Sequence, residues 1–236
     1  MSLRRLAAAA LLAVASPLAA GAQATLTFPS SLANPIAGGY YVGPYAPATF
    51  VSAVGQARTL SVLCLDFLNE VYLGDQYQVN VTSLGGGASN PVGDTRHPGA
   101  VGTYRKAAWL GSLFSSTPTT GWGSVQYAMW NLFTPTEAPD DADSPGYLAL
   151  ADLAESHDYG AFDYQGRHYD AVDMSRYWVL TDVNAEGRAL GGKQEFIATS
   201  DIALGPTNTV PEPGTLALIL TGAAAIGVLA WRRARA

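Results

Sequence analysis

The sequence predicts an α+β fold, a β-sandwich or barrel with a helical insertion. Three observations predict it. Strand-like patterns occupy residues 60–67 and 77–82, helical patterns occupy residues 103–156, and strand-like patterns return from residue 177. This order of strands, helices and strands favours α+β over a parallel sheet built from alternating strands and helices.

The first strands are predicted from two contrasting patterns. Residues 60–67 form an apolar run typical of a buried strand, and Gly74 and Asp75 predict a turn. Apolar and polar residues then alternate over 77–82, which indicates a half-buried strand, and we expect it to pair with the preceding one. The glycine-rich stretch 85–98 is predicted to be a loop.

Three helices follow in the prediction. Apolar residues recur at helical spacing from residue 103 and again over 124–133, where Ser124 or Gly123 is the expected cap. The third helix covers residues 145–156, with Pro145 at its first position. Its expected cap is Asp143 or Ser144.

The last predicted elements are two strands that surround a turn. They cover residues 177–181 and 194–203, and the turn lies near 184–187. Residues 23–209 can bury one sizeable core, and no stretch among them is long enough to be a linker between two domains. We therefore expect a single exported globular domain.

The N-terminus, residues 1–22, has the three parts of a secretory signal peptide. Arg4 and Arg5 precede the apolar run 6–15, and small residues follow it. The run is shorter than the roughly 20 apolar residues that span a bilayer, so we expect cleavage. The mature chain is expected to begin at Gln23 or, as the alternative, at Gly21.

The exported domain is strongly acidic. Residues 23–210 contain eight Lys or Arg against eighteen Asp or Glu, a net charge of −10. Binding to phosphate backbones needs clustered cationic side chains, so nucleic acid is excluded as a partner. No phosphate-binding glycine loop, serine elbow or paired-histidine motif occurs, so we expect a non-enzymatic protein without a cofactor.

The C-terminal segment, residues 210–236, combines a proline motif with an apolar helix. Pro211, Glu212 and Pro213 precede the apolar stretch 216–231, and arginines follow it. The stretch is near the lower limit for a transmembrane helix, and the positive-inside rule keeps the arginines in the cytoplasm. The domain is therefore expected to face outward.

This segment resembles the PEP-CTERM sorting signal of Gram-negative bacteria. The resemblance implies export through the inner membrane, transient anchoring in the membrane, and cutting near Pro211, Glu212 and Pro213 by an exosortase-type protease. It also implies a final place in the cell envelope, on the surface or outside the cell. The alternative is a plain single-pass anchor with a proline break before its helix.

The chain has one cysteine, Cys64, which excludes an internal disulfide. It is therefore a buried thiol, an intermolecular partner or a reactive group. The segment 104–110 and the sequence Val-Gln-Tyr-Ala-Met-Trp at 125–130, taken with the Cys64 strand, resemble the thioester domains of bacterial surface adhesins. That resemblance implies a thioester between Cys64 and Gln126. Its shielding motif is formed by Trp109, Ala128, Met129 and Trp130.

The function expected from this resemblance is a covalent adhesin that captures surface amines. Val125 stands where those adhesins place threonine, and Met129 replaces isoleucine or valine. Two alternatives remain. The domain keeps the adhesin fold but lacks the thioester, or the packing of Cys64 and Gln126 is unrelated to that family. The second function class is a structural or carbohydrate-binding envelope protein, with extracellular polysaccharide as partner and Cys64 inert. A secreted hydrolase would need acids that converge in a cleft.

Two acidic clusters in the sequence are candidate cation sites. Residues 140–144 lack the glycine turn and distal glutamate of a calcium loop, so an acidic cap for the third helix is the favoured interpretation over calcium. Asp163, His168, Asp170 and Asp173 surround a predicted hairpin turn at 165–166. No metal site is predicted.

Overall fold

The apolar and alternating runs form the strands of a closed barrel. The computed structural model describes residues 23–85, 94–184 and 192–199, which belong to one compact unit of the chain, residues 21–203. The signal peptide at 1–22, the tail at 210–236, and parts of the predicted 85–98 loop, the 184–187 turn and the 194–203 strand lie outside the described residues.

Six antiparallel strands close the barrel in the order β1-β4-β5-β10-β9-β6. Their bounds are β1 Ala24–Thr27, β4 Tyr45–Val51, β5 Ala57–Cys64, β6 Gln76–Ser83, β9 Tyr177–Asp182 and β10 Phe196–Thr199. Two short hairpins accompany them, formed by β2 Ile36–Ala37 with β3 Tyr40–Tyr41 and by β7 Phe162–Tyr164 with β8 Arg167–Tyr169.

The α+β class and the helical insertion are confirmed, and the sheet is a barrel rather than a sandwich. The expected pairing of β6 with β5 is wrong. β5 pairs with β4 and β10, while β6 pairs with β1 and β9. The physical reason is that each strand of a closed barrel has two neighbours, and both edges of β5 are already occupied, one by β4, which precedes it in the chain, and the other by the distant strand β10.

Three α-helices of the described chain lie between β6 and β9 in sequence: α1 Val101–Ser112, α2 Trp122–Asn131 and α3 Ser144–Ser156. α2 begins two residues before the predicted start, and its N-cap is Gly121 rather than Ser124 or Gly123. A 3₁₀ turn over Thr119–Gly121 leads directly into it, so the helix begins at the end of that turn. α3 has Asp143 as its N-cap, as predicted, with Pro145 in its first turn.

The core joins one face of the barrel to the helices. Leu63, Val179 and Ile197 from three neighbouring strands pack in one buried cluster with side chains of α1 and α2. Because side chains alternate across a strand, Val62 and Cys64 point to the opposite face of β5 from Leu63. Both faces are buried there, so the barrel end of β5 lies between two packed layers.

No helix among the described residues is long and apolar enough to cross a membrane. The predicted membrane helix at 216–231 is not among those residues.

Candidate functional site

Cys64 is the last residue of β5, at one end of the barrel. It is fully buried, has a free thiol, and lies opposite Phe196 of β10 in the ladder. The thiol donates a hydrogen bond to the backbone carbonyl of Asp66, with Sγ 3.2 Å from the oxygen. The sulfur atom therefore lies at the point where the chain leaves the sheet.

Two of the predicted side chains on helix α2, those of Gln126 and Trp130, contact Cys64. The Gln126 side-chain amide donates to the Cys64 carbonyl over 2.8 Å, and the Trp130 indole Nε1 donates to the Cys64 sulfur over 3.3 Å. Residues four apart lie on the same face of a helix, so the spacing of Gln126 and Trp130 lets both contact one strand residue. Cys64 and Gln126, 62 residues apart in sequence, are therefore neighbours in the structure.

The other end of the Gln126 amide is held by the backbone of Gly43. The Gly43 N–H donates to Gln126 Oε1 over a long 3.4 Å. Gln126 is completely buried, and burial of an amide is costly unless its donor and acceptor are both paired. The two backbone contacts fix the plane of the amide and direct its nitrogen toward Cys64.

Gly43 cannot be replaced easily at this position. Its φ is +91°, and a Cβ atom built on it would lie 2.2 Å from Cε3 of Trp122. Glycine adopts this backbone conformation without a steric penalty and leaves room for the indole ring. The segment between β3 and β4 can therefore approach α2 closely enough to contact Gln126.

Four aromatic rings pack against one another at this end of the barrel, and one of them, Trp130, contacts the Cys64 sulfur. The Trp130 ring lies 5.3 Å from Phe67, 5.8 Å from Tyr40 and 5.8 Å from Tyr127, measured between centroids. Tyr40 and Phe67 also contact each other edge to face at 5.1 Å. Tyr40 is partly exposed and Trp130 is buried, so the cluster separates the sulfur from solvent.

The thiol is electrically neutral at physiological pH. Burial raises the pKa of Cys64 to about 12, while the hydrogen bond from Trp130 and the charge of Arg96 act in the opposite direction. A thiol in this state is a weak nucleophile toward external reagents. Reaction of Cys64 with external reagents is therefore disfavoured in the folded protein.

Beside Cys64 lies a buried ionic network that the sequence did not reveal. Arg96 forms ion pairs with Asp66 and with Asp182, the latter at 2.6 Å. Glu195 accepts hydrogen bonds from the Tyr104 hydroxyl at 2.6 Å, from Thr181 Oγ1 and from the Arg96 backbone N–H. The network members come from distant parts of the chain, so no local pattern could have identified them.

The remaining residues of the predicted shielding motif occupy two places. Ala128 and Met129 are fully buried within α2. Trp109 is buried on α1, where its ring lies 6.0 Å from Phe162 and 5.8 Å from Tyr169 of the β7–β8 hairpin. The aromatic contacts of Trp109 are thus with the hairpin, and those near Cys64 come from other rings.

The two acidic clusters have structural partners. The Asp141 carboxylate accepts from the backbone N–H of Ser144 at 2.8 Å and from the Ser124 hydroxyl at 2.8 Å, as an acidic cap of α3 should. Asp163 lies 2.8 Å from His168 Nδ1 across the predicted hairpin. No group of three or more potential metal-ligating side chains occurs among the residues that the structure describes.

Residues 209–235 match the family model of the PEP-CTERM protein-sorting motif. The chain carries a PEP-CTERM sorting motif. The match includes Pro211, Glu212 and Pro213, and it supports export, transient anchoring in the membrane and processing by an exosortase. The matched segment lies outside the described residues, so it informs the handling of the protein rather than the chemistry of its domain. No curated protein and no solved structure matches the chain.

Proposed function

We propose that the domain exported under the PEP-CTERM motif is a covalent surface adhesin whose reactive group is a thioester between Cys64 and Gln126. The observation that carries the proposal is the contact of Gln126 and Trp130, one helical turn apart, with Cys64. A buried glutamine amide beside a buried thiol is the reactant pair that such a bond requires.

The reaction balances without an external reagent. Cys64 Sγ forms a bond to the Gln126 side-chain carbonyl carbon, and the bond from that carbon to Nε2 breaks. The thiol proton leaves with the amide nitrogen as ammonia. Because the pair is held in place, the step is intramolecular and benefits from high effective concentration, which supplies what a neutral thiol lacks in nucleophilicity.

Two features of the site support this chemistry. The Gly43 N–H points at Gln126 Oε1, where negative charge develops as the sulfur adds to the carbonyl, and a backbone donor at that place stabilises the transition state. The rings of Trp130, Phe67 and Tyr40 limit the access of water, which would hydrolyse the product.

The formed thioester is the species that acts on a target. A surface amine attacks the carbonyl carbon, a new amide bond forms, and Sγ leaves and takes up a proton as the Cys64 thiol. The alternative function is a structural or carbohydrate-binding envelope protein in which Cys64 is an inert core residue. Full burial of the thiol is compatible with that alternative, so the two must be separated by experiment.

The mass of the purified, exported protein separates them. Loss of ammonia lowers the mass by about 17 Da relative to the sequence, and methylamine then adds to the protein and releases one thiol. Cys64→Ala and Gln126→Ala should each abolish the deficit. Gln56→Ala, which changes an exposed glutamine, should retain it. A wild-type protein of full mass with one titratable thiol in denaturant would rule out the thioester.

A further inference from the structure

A second site lies near the opposite end of β5 from Cys64. A cavity of about 900 Å³ is bounded by the first half of β5, the end of α1, the β7–β8 hairpin and the start of β9. Arg58 lines it, and six residues of strand at about 3.3 Å each separate Arg58 from Cys64 by roughly 20 Å. The cavity is therefore distinct from the thioester candidate.

Three arginines from three separate elements line this cavity. Arg58 comes from β5, Arg167 from β8, and Arg176 from the 3₁₀ turn that precedes β9. The domain has only eight Lys or Arg over residues 23–210, against eighteen Asp or Glu. Convergence of three of the eight on one concave surface of an acidic protein favours an anionic ligand there.

One of these arginines is held in place by its neighbours. The Arg167 guanidinium lies 5.1 Å from the centroid of the Tyr169 ring and donates to Ser116 Oγ at 3.4 Å. A guanidinium that stacks on an aromatic face loses less freedom when it binds a carboxylate, because its plane is already oriented.

The rest of the lining identifies the ligand more closely. Six residues with hydroxyl side chains line the cavity together with the arginines: Thr59, Ser61, Ser112, Ser115, Ser116 and Thr199. The volume is near the upper end of the range of about 300–1,000 Å³ typical of small-molecule sites, so the cavity is too large for a single inorganic anion. A ligand that fills it must present hydroxyls as well as charge.

Two carboxylates share the lining and exclude a dense polyanion. Asp173 accepts from the Ser175 backbone N–H at 2.9 Å and its hydroxyl at 2.6 Å, and these bonds hold the pKa of Asp173 below its usual value. Asp170 is almost fully exposed and lies 3.7 Å from His168 Nε2. Ionised carboxylates repel a polyphosphate but accept hydrogen bonds from sugar hydroxyls.

We propose that this cavity binds an acidic oligosaccharide, with Arg58, Arg167 and Arg176 on its carboxylates and the Ser, Thr and Asp side chains on its hydroxyls. The site is independent of the Cys64–Gln126 pair. It would allow the exported domain to bind a carboxylated polysaccharide non-covalently whether or not the thioester forms.

Calorimetric titration of the purified full chain with trigalacturonate tests the proposal. We expect binding that weakens as salt is raised, and no binding of the neutral counterpart galactotriose. Arg58→Gln and Arg167→Gln should each weaken binding about tenfold, because each removes a charge-assisted hydrogen bond. Lys106→Gln removes a cation that pairs with Asp152 and Glu155 on α3, and it should leave affinity unchanged.

Three results would overturn the assignment: no binding of trigalacturonate, equal binding of galactotriose, or unchanged affinity in both arginine variants. Full competition by inorganic phosphate at the same concentration would show that the cavity is a simple anion site rather than a saccharide site. Each variant is first compared with wild type by thermal unfolding, and Arg167 is exposed, so its replacement should not disturb the fold. Unchanged binding by Cys64→Ala would show that this site does not depend on the thioester.

Discussion

At the scale of single residues, the site depends on how Gln126 is held. Its amide is fixed at one end by the Cys64 carbonyl and at the other by the Gly43 N–H. The second contact exists because residue 43 has no side chain and a positive φ, which lets the backbone pass over Trp122. A glycine far from Cys64 and Gln126 in sequence therefore helps to fix the geometry of the site.

Replacing Gly43 by alanine should be much more costly than an ordinary glycine substitution. The positive φ and the collision with Trp122 together should lower the free energy of unfolding by about 3 kcal/mol. Gly74→Ala is the matched control, because Gly74 has φ +82° but nothing within 4 Å of the new Cβ, and its cost should be about 1 kcal/mol. Urea denaturation measures both, and equal losses would contradict the role assigned to Trp122.

At the scale of elements, the N-terminus of α3 is capped by Asp141, a residue that precedes the helix. Asp143 is the N-cap by position, but its side chain makes no capping hydrogen bond. Asp141 supplies that function, since it accepts from the backbone N–H groups of Asp143 and Ser144. It also binds the Ser124 hydroxyl on α2, so one carboxylate links the starts of two helices.

Asp141→Ala should therefore destabilise the domain by about 1–2 kcal/mol, and Asp143→Ala by less than about 0.5 kcal/mol. Burial opposes ionisation of Asp141, but the hydrogen bonds from Ser124, Ser144 and Asp143 hold its pKa below the usual value. A lowered pKa stabilises the fold above the unfolded-state pKa, and this contribution is lost as the pH falls through the folded-state value.

Denaturation at several pH values tests both parts of this prediction. The deficit of Asp141→Ala relative to wild type should be full at neutral pH and should shrink below about pH 4. A deficit that does not change with pH, or one matched by Asp143→Ala, would show that the carboxylate of Asp141 is not the cap.

At the scale of the whole molecule, Arg96 links three segments at one end of the barrel. Its guanidinium bridges Asp66, just after β5, to Asp182 at the end of β9, and it donates to the Lys193 carbonyl before β10. Asp182 and Glu195 are almost completely buried. The barrel therefore closes around a charged cluster in which one arginine is surrounded by acids.

Arg96→Gln should lower the free energy of unfolding by about 3–5 kcal/mol, because it leaves buried carboxylates without a counter-charge. Lys193→Gln is the control, since the Lys193–Asp75 pair at 2.6 Å is partly exposed and should contribute less than about 1 kcal/mol. Chemical denaturation compares the two variants. A loss no larger than that of Lys193→Gln would contradict the role of Arg96 as the counter-charge of the buried acids.

The sequence alone determined the features that depend on local pattern. The period of apolar residues placed α1, α2 and four of the six barrel strands, β5, β6, β9 and β10, to within a few residues, but it did not indicate β1 or β4. The start signal at Pro145 placed α3, and the proline motif with its apolar tail identified the sorting signal. The spacing of Gln126 and Trp130 on one helix also put both on a common face. Each of these properties is carried by residues a few positions apart, where backbone geometry relates sequence to space directly.

Only the tertiary structure determined which distant segments pair with or contact one another. Strand alternation shows which face is buried but not which strand is the neighbour, so the pairing of β6 with β1 and β9 required the closed barrel. The same closure brings Arg96 to its acids and gathers Arg58, Arg167 and Arg176 around one cavity. Nothing local distinguishes these arginines from the other arginines of the chain, because their surroundings are set by packing between distant segments.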